Sequence, residues 1–174
     1  MQNAAEWRLE RVVSGGQTGV DRAALDAARS VNLPIGGWCP RGRRSEDGRI
    51  PSEYPLRETA ARSYAVRTEW NVRDSDGTLV VVLDEVTSGT RLTVDLARKH
   101  QKPLHIVHLH PSAAPGLFLD GNSANAELAS VVEWLSQHRI RILNVAGPRG
   151  SSAESVYREA MTFLVDLFKA VPSG

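Results

Sequence analysis

Hydrophobic positions along the chain follow two spacings, and the two alternate. Short runs of Val, Leu and Ile read as strands, and between them apolar residues recur every three or four positions, as on a helix. Leu9, Val12 and Val13 mark a first strand over 8–14. Leu25, Ala28 and Val31 predict a helix over 18–32, with Thr18 as its N-cap. A short strand over 33–39 stops at Pro40, and a long polar loop runs from 41 to 55. Residues 56–71 read as a helix and Asp74-Ser75-Asp76-Gly77 as a turn. The run Thr78-Leu79-Val80-Val81-Val82-Leu83 is apolar without interruption after its Thr, which predicts a strand buried on both faces, as in a parallel sheet. A helix over 87–101, a strand over 104–109, an irregular stretch over 111–122, a helix over 124–137, a strand over 140–146 and a final helix over 156–170 complete the pattern. Strands alternating with helices at this spacing predict an α/β fold: a parallel sheet of about five or more strands with helices on both faces. The whole of 1–174 reads as one domain, with 1–7 and 172–174 as terminal tails.

Composition narrows the picture. The 174 residues are 41% hydrophobic and 24% charged, ordinary for a soluble protein with a buried core. A formal net charge of +1 argues against binding nucleic acid through bulk electrostatics. Cys39 is the only cysteine, so neither an internal disulfide nor a Cys-rich metal site can form. No signal-peptide pattern or bilayer-length apolar run is present, and a cytoplasmic protein without membrane contact is expected. Most basic residues are Arg, which suits bidentate capture of phosphate or carboxylate.

Three loops containing Gly, Ser or Thr each follow a predicted strand: Gly15-Gly16-Gln17-Thr18-Gly19, Ser88-Gly89-Thr90, and Gly147-Pro148-Arg149-Gly150-Ser151. In a parallel sheet all three reach the carboxyl edge, where open α/β folds place their ligand crevice. Backbone N–H groups at helix N-termini there suit a phosphorylated small molecule. Arg22 lies just beyond the first loop and Thr93 just beyond the second. Arg67 and Asn71 share a helical face; Arg67 either reaches an anion over the crevice or pairs with Glu69 or Asp74. Arg43 and Arg44 sit in the 41–55 loop, either as a lid bringing cations to the ligand or neutralised by Glu46 and Asp47. His105, His108 and His110 do not make a metal site on spacing alone, because only His108 and His110 share a strand face. No GxSxG elbow and no HExxH motif occurs; no catalytic residue and no tightly held catalytic cofactor are predicted, and nothing demands an enzyme.

The segments Ser14-Gly15-Gly16-Gln17-Thr18-Gly19-Val20-Asp21-Arg22, Gly37-Trp38-Cys39-Pro40-Arg41-Gly42-Arg43-Arg44 with Glu46-Asp47-Gly48, Arg67-Thr68-Glu69-Trp70-Asn71-Val72, Ser75-Asp76-Gly77-Thr78-Leu79, Gly89-Thr90-Arg91-Leu92-Thr93 and Leu143-Asn144-Val145-Ala146-Gly147-Pro148-Arg149 stand out together. In combination they resemble the molybdenum cofactor carrier family, in the circularly permuted YpsA-like branch of the LOG-like (lysine-decarboxylase-like) Rossmannoid superfamily. The likeness runs from about Val12 to Phe168. It implies a Rossmann-like sheet and a homo-oligomer, dimer or tetramer, that carries molybdenum cofactor, a phosphorylated pterin, with molybdoenzymes as recipients. The wider superfamily implies an alternative, a nucleotide or ADP-ribose sensor or a weak LOG-like phosphoribohydrolase acting on nucleoside monophosphates. Those enzymes have a PGGxGTxxE loop and an Arg on the preceding helix. Arg67 matches the Arg, but Thr93 stands in place of the Glu. A carboxylate there would stabilise an oxocarbenium-like transition state and a hydroxyl would not, which favours a binder.

Overall fold

A computed structural model of the chain describes residues 7–83, 88–109, 121–152 and 155–173. Strand β1 (Arg11–Val13) runs through the first glycine loop into helix α1 (Val20–Ser30). Next come β2 (Ile35–Gly36), β3 (Trp38–Cys39), a hairpin of β4 (Arg44–Ser45) and β5 (Gly48–Arg49), β6 (Arg57–Glu58) and α2 (Tyr64–Arg73). The second half holds β7 (Gly77–Val82), α3 (Ser88–Lys99), β8 (Leu104–His108), α4 (Gly121–Gln137), β9 (Ile142–Ala146), a 3₁₀ turn at Gly150–Ser152 and α5 (Val156–Ala170).

Five parallel strands form the main sheet in the order β2-β1-β9-β7-β8. Counting from β9 as the first strand turns this order into 3-2-1-4-5, the doubly wound Rossmann arrangement with its first strand moved to the chain's end. All six residues of β7 are buried, as its apolar run requires. Leu79 and Val81 face the core formed with α1, α4 and α5, whereas Val80 and Val82 pack with Val94 of α3 on the other face. Helices therefore cover both sides.

Local differences from the sequence expectation have physical causes. The 33–39 strand breaks at Gly37, which takes φ 125°; a Cβ there would lie 2.8 Å from the Ser14 nitrogen. The chain thus leaves the main sheet, and Trp38–Cys39 pairs with Arg57–Glu58 instead. That pairing also delays the helix expected from residue 56. It begins at Tyr64, where the Ser63 side chain accepts a hydrogen bond from the Ala65 N–H at 3.2 Å. The 41–55 loop carries its own small core, in which Ile50, Tyr54 and Leu56 pack with Leu25 and Cys39. Thr18 is not the cap of α1. Gly19 occupies that position with φ 79°, without a side-chain cap. Trp7 and residues 172–173 are not tails. The Trp7 indole donates to the Ile140 carbonyl at 2.9 Å, and the Leu9 N–H donates to Pro172 at 2.8 Å. The irregular stretch expected over 111–122 lies outside the described residues up to 120, and α4 starts at Gly121. Among the described residues, no helix is long and apolar enough to cross a membrane.

Candidate functional site

The carboxyl edge of the sheet holds a cavity of about 250 Å³. It lies beyond the ends of β9 and β7, which are strands 1 and 4 of the permuted order and so mark the topological switch point. Eight residues expected from the sequence line it: Gln17, Arg67, Gly89, Thr90, Thr93, Gly147, Pro148 and Arg149. A larger cleft of about 620 Å³ opens between Trp7, Arg8, Arg139 and Arg141, at the opposite edge of the sheet from the glycine loops.

Apart from Ser88, the other expected residues are not among the cavity's described lining, and each has an internal task. Gly15 lies directly beneath the Arg67 guanidinium, where any Cβ would overlap the nitrogens. Gly16, at φ 73°, packs against Leu56 and Ile50, so a Cβ would stand 2.5 Å from Leu56 Cδ1. Gly19 lets α1 abut the third loop; its Cβ would lie 2.5 Å from the Pro148 carbonyl, to which Val20 N–H donates at 3.1 Å. The Thr18 hydroxyl donates to Glu46 and accepts from the Gly150 N–H at 3.0 Å. Arg22 pairs with Asp47 at 2.6 Å and donates to the Gly16 carbonyl at 3.1 Å. Arg43 is a staple rather than a lid cation, donating to the carbonyls of Ile50, Pro51, Tyr54 and Leu56 at 2.7–3.1 Å. Arg44 lies over the Tyr64 ring at 5.7 Å. Asn71 clasps the Trp38 backbone, accepting its N–H at 2.8 Å and donating to its carbonyl at 2.9 Å. Ser88 opens α3, and its side chain is outside the described residues.

Asp21 and Glu46 emerge only in three dimensions. Asp21 lines the cavity and pairs with Arg67 at 3.1 Å, its side chain only 5% exposed. Burial pushes this carboxyl above its usual range, opposed by the Arg67 guanidinium, the Gln17 N–H and the Ser14 side chain. Arg67 is 13% exposed, and its Nε is buried with no acceptor among the described residues. The surface pairing expected as one alternative for Arg67 does not form: Glu69 binds Lys99 and His100, and Asp74 pairs with Arg73.

Glu46, from the β4–β5 turn, sets its carboxylate into the third loop. It accepts from the Ser151 N–H at 2.9 Å and the Ser151 hydroxyl at 2.6 Å, as well as from Thr18. Arg149 Nε stands 3.9 Å away. Burial pushes Glu46 upward, but the hydrogen bonds from Ser151 and Thr18 outweigh it and hold the group below its usual range. A spacing pattern could not reveal this contact, since 105 positions separate Glu46 from Ser151.

Tyr64, Thr68, Leu92, Ala146 and Ser152 complete the lining. The wall is therefore mixed: hydroxyls and backbone at the start of α3 and after β9, a Tyr ring and Leu92 at the side, and an ion pair at the base. His105 packs at a tilt against Trp134, with ring centroids 5.4 Å apart, and no group of three metal ligands forms among the described residues. His110 lies outside them.

The model of the circularly permutated YpsA SLOG family matches residues 12–168, nearly the whole chain. The chain belongs to this family. The strand order, read as a permuted Rossmann sheet, agrees with a description that names a circular permutation. The chain is also similar to a crystal structure from Syntrophus aciditrophicus SB, described as a "putative molybdenum carrier protein". The two share 38% identity over 94% of this chain and 96% of that one, with a TM-score of 0.82. No curated protein matches the chain.

Proposed function

We propose that this family member is a binding protein that holds molybdenum cofactor, or a related phosphorylated pterin, in the switch-point cavity. The carrying observation is the convergence of three elements on one small space. The first two turns of α3 bring Gly89, Thr90 and Thr93; the loop after β9 brings Gly147 to Arg149; α2 brings Arg67. A helix N-terminus and nearby hydroxyls favour a phosphate, and the Arg67 side chain lines the same cavity. Tyr64 and Leu92 supply flat and apolar contacts for a heterocycle. The description of the similar Syntrophus protein as a molybdenum carrier supports the same ligand class.

Metal analysis and mass spectrometry of what copurifies with the protein test this directly. A phosphorylated pterin, with or without molybdenum, is the expected result. Absence of binding to cofactor, molybdate and tungstate, together with tight retention of an ordinary nucleotide, would overturn it.

A nucleoside-monophosphate hydrolase is the second reading, and Asp21 is the observation in its favour. The cavity holds a carboxylate even though Thr93 replaces the expected Glu. Its pairing with Arg67 leaves it fixed and nearly buried, which favours a structural task over attack on a sugar. Incubation with AMP separates the readings: adenine release that disappears in Arg67→Ala would support the hydrolase.

A further inference from the structure

The charges around the cavity limit what it can hold. Arg67 and Arg149 are the cations among its described lining residues, and each faces a carboxylate. Arg67 is 3.1 Å from Asp21, and Arg149 is 3.9 Å from Glu46. None of the neighbouring arginines is in the described lining: Arg22 pairs with Asp47, Arg43 donates to four carbonyls and Arg44 lies over the Tyr64 ring. Among the described residues, the formal charge of these two pairs is therefore zero. What remains for an anion is the positive end of α3, about half a unit charge, and neutral N–H and O–H donors.

We propose that the cavity selects a ligand bearing one compact phosphate and disfavours diphosphates, triphosphates and pyrophosphate-linked dinucleotides, and that Glu46 sets this limit. The proposal rests on the reading above that the cavity takes a phosphorylated ligand. A single phosphate meets the α3 terminus and the hydroxyls around it. Each further phosphate brings charge that no unpaired cation of the described lining offsets, in a partly enclosed space where unpaired charge is costly. Glu46 adds repulsion as well as neutralising Arg149. Asp21 differs in kind: it is buried within the fold, whereas the Glu46 side chain is one-fifth exposed on a hairpin turn. Changing Glu46 therefore alters the charge with little change in packing.

The test is calorimetric titration at fixed ionic strength, without divalent metal. AMP, ADP and ATP form one ladder, orthophosphate and pyrophosphate a second that reads charge without a base. The expected wild-type order is AMP over ADP over ATP, about tenfold per step, and orthophosphate over pyrophosphate. Glu46→Gln keeps an oxygen for Thr18 and Ser151 and frees Arg149. It is expected to raise affinity for ADP, ATP and pyrophosphate by about tenfold more than for AMP and orthophosphate. Arg149→Gln should steepen both ladders, and Glu53→Gln, which removes a carboxylate paired with Arg29 on the same loop, should leave them unchanged. Equal or tighter wild-type binding of the higher phosphates, or a ladder indifferent to Glu46→Gln, overturns the proposal. If neither orthophosphate, AMP nor a phosphorylated pterin binds, the phosphate-site reading itself falls, and this proposal with it.

Discussion

Two glycine-bearing segments at the same sheet edge have opposite surroundings. In the loop after β1, protein occupies the space beside each glycine: Arg67 beside Gly15, Leu56 and Ile50 beside Gly16, the Pro148–Gly150 backbone beside Gly19. At the start of α3, nothing described lies within 4 Å of where a Gly89 Cβ would point, and the cavity adjoins it. The first segment needs glycine so that the chain can pack on itself, whereas at the second the open space belongs to the cavity. Glycine content alone is therefore a poor guide to a ligand loop, and the difference can be tested by substitution.

Gly16→Val should have the largest effect on the fold. It forces a β-branched residue into φ 73° and drives a side chain into Leu56 and Ile50. A loss of about 3 kcal/mol or more is expected in denaturant unfolding. Next comes Arg43→Ala, which strips four carbonyls of their donor and should cost about 2–4 kcal/mol. Arg44→Ala, one residue along in the same motif, should stay within about 0.5 kcal/mol of wild type. Similar losses for the two would contradict the staple assigned to Arg43.

Gly89→Ala tests the other side of the comparison. An added methyl meets no described atom and removes a glycine from a helix, so stability should hold or rise by about 0.5 kcal/mol. Binding of a phosphorylated ligand should weaken by about tenfold or more, because backbone approach at the start of α3 is narrowed. Unchanged affinity would remove that wall from the site.

These contrasts also mark how far the sequence could be read. The β7 run declared a buried parallel strand because all of its apolar side chains demand burial, and α5 occupies the expected 156–170 because its apolar spacing is uninterrupted. The stretch from 37 to 63 resisted reading. Its shape depends on the positive φ of Gly37, on a two-residue pairing of β3 with β6, and on the Arg43 staple. At the site, Arg67, Thr93 and the third loop were recognisable from position. The partners Asp21 and Glu46 were not, since local spacing carries no record of which distant cation a carboxylate meets.

A smaller effect is expected from pH. Glu46 sits below its usual range because hydrogen bonds from Ser151 and Thr18 outweigh its burial, and Asp47 because of hydrogen bonds from Arg22 and Ser45. Groups lowered on folding contribute stability above their unfolded pKa values and lose it as pH falls through the folded ones. Protection of the β4–β5 hairpin amides, corrected for the intrinsic pH dependence of exchange, should therefore fall below about pH 4. Glu46→Gln should show less of that acid dependence; an identical profile would mean the carboxylate does not latch the hairpin.

The most direct measurement is the backbone amide NMR spectrum during titration with a phosphorylated pterin. The largest shifts are expected at Gly89, Thr90, Thr93 and Gly147, with Gly15 and Gly16 little changed. Dominant shifts at Gly15, Gly16 and Gly19, with the start of α3 silent, would contradict the account and return the phosphate to the first glycine loop.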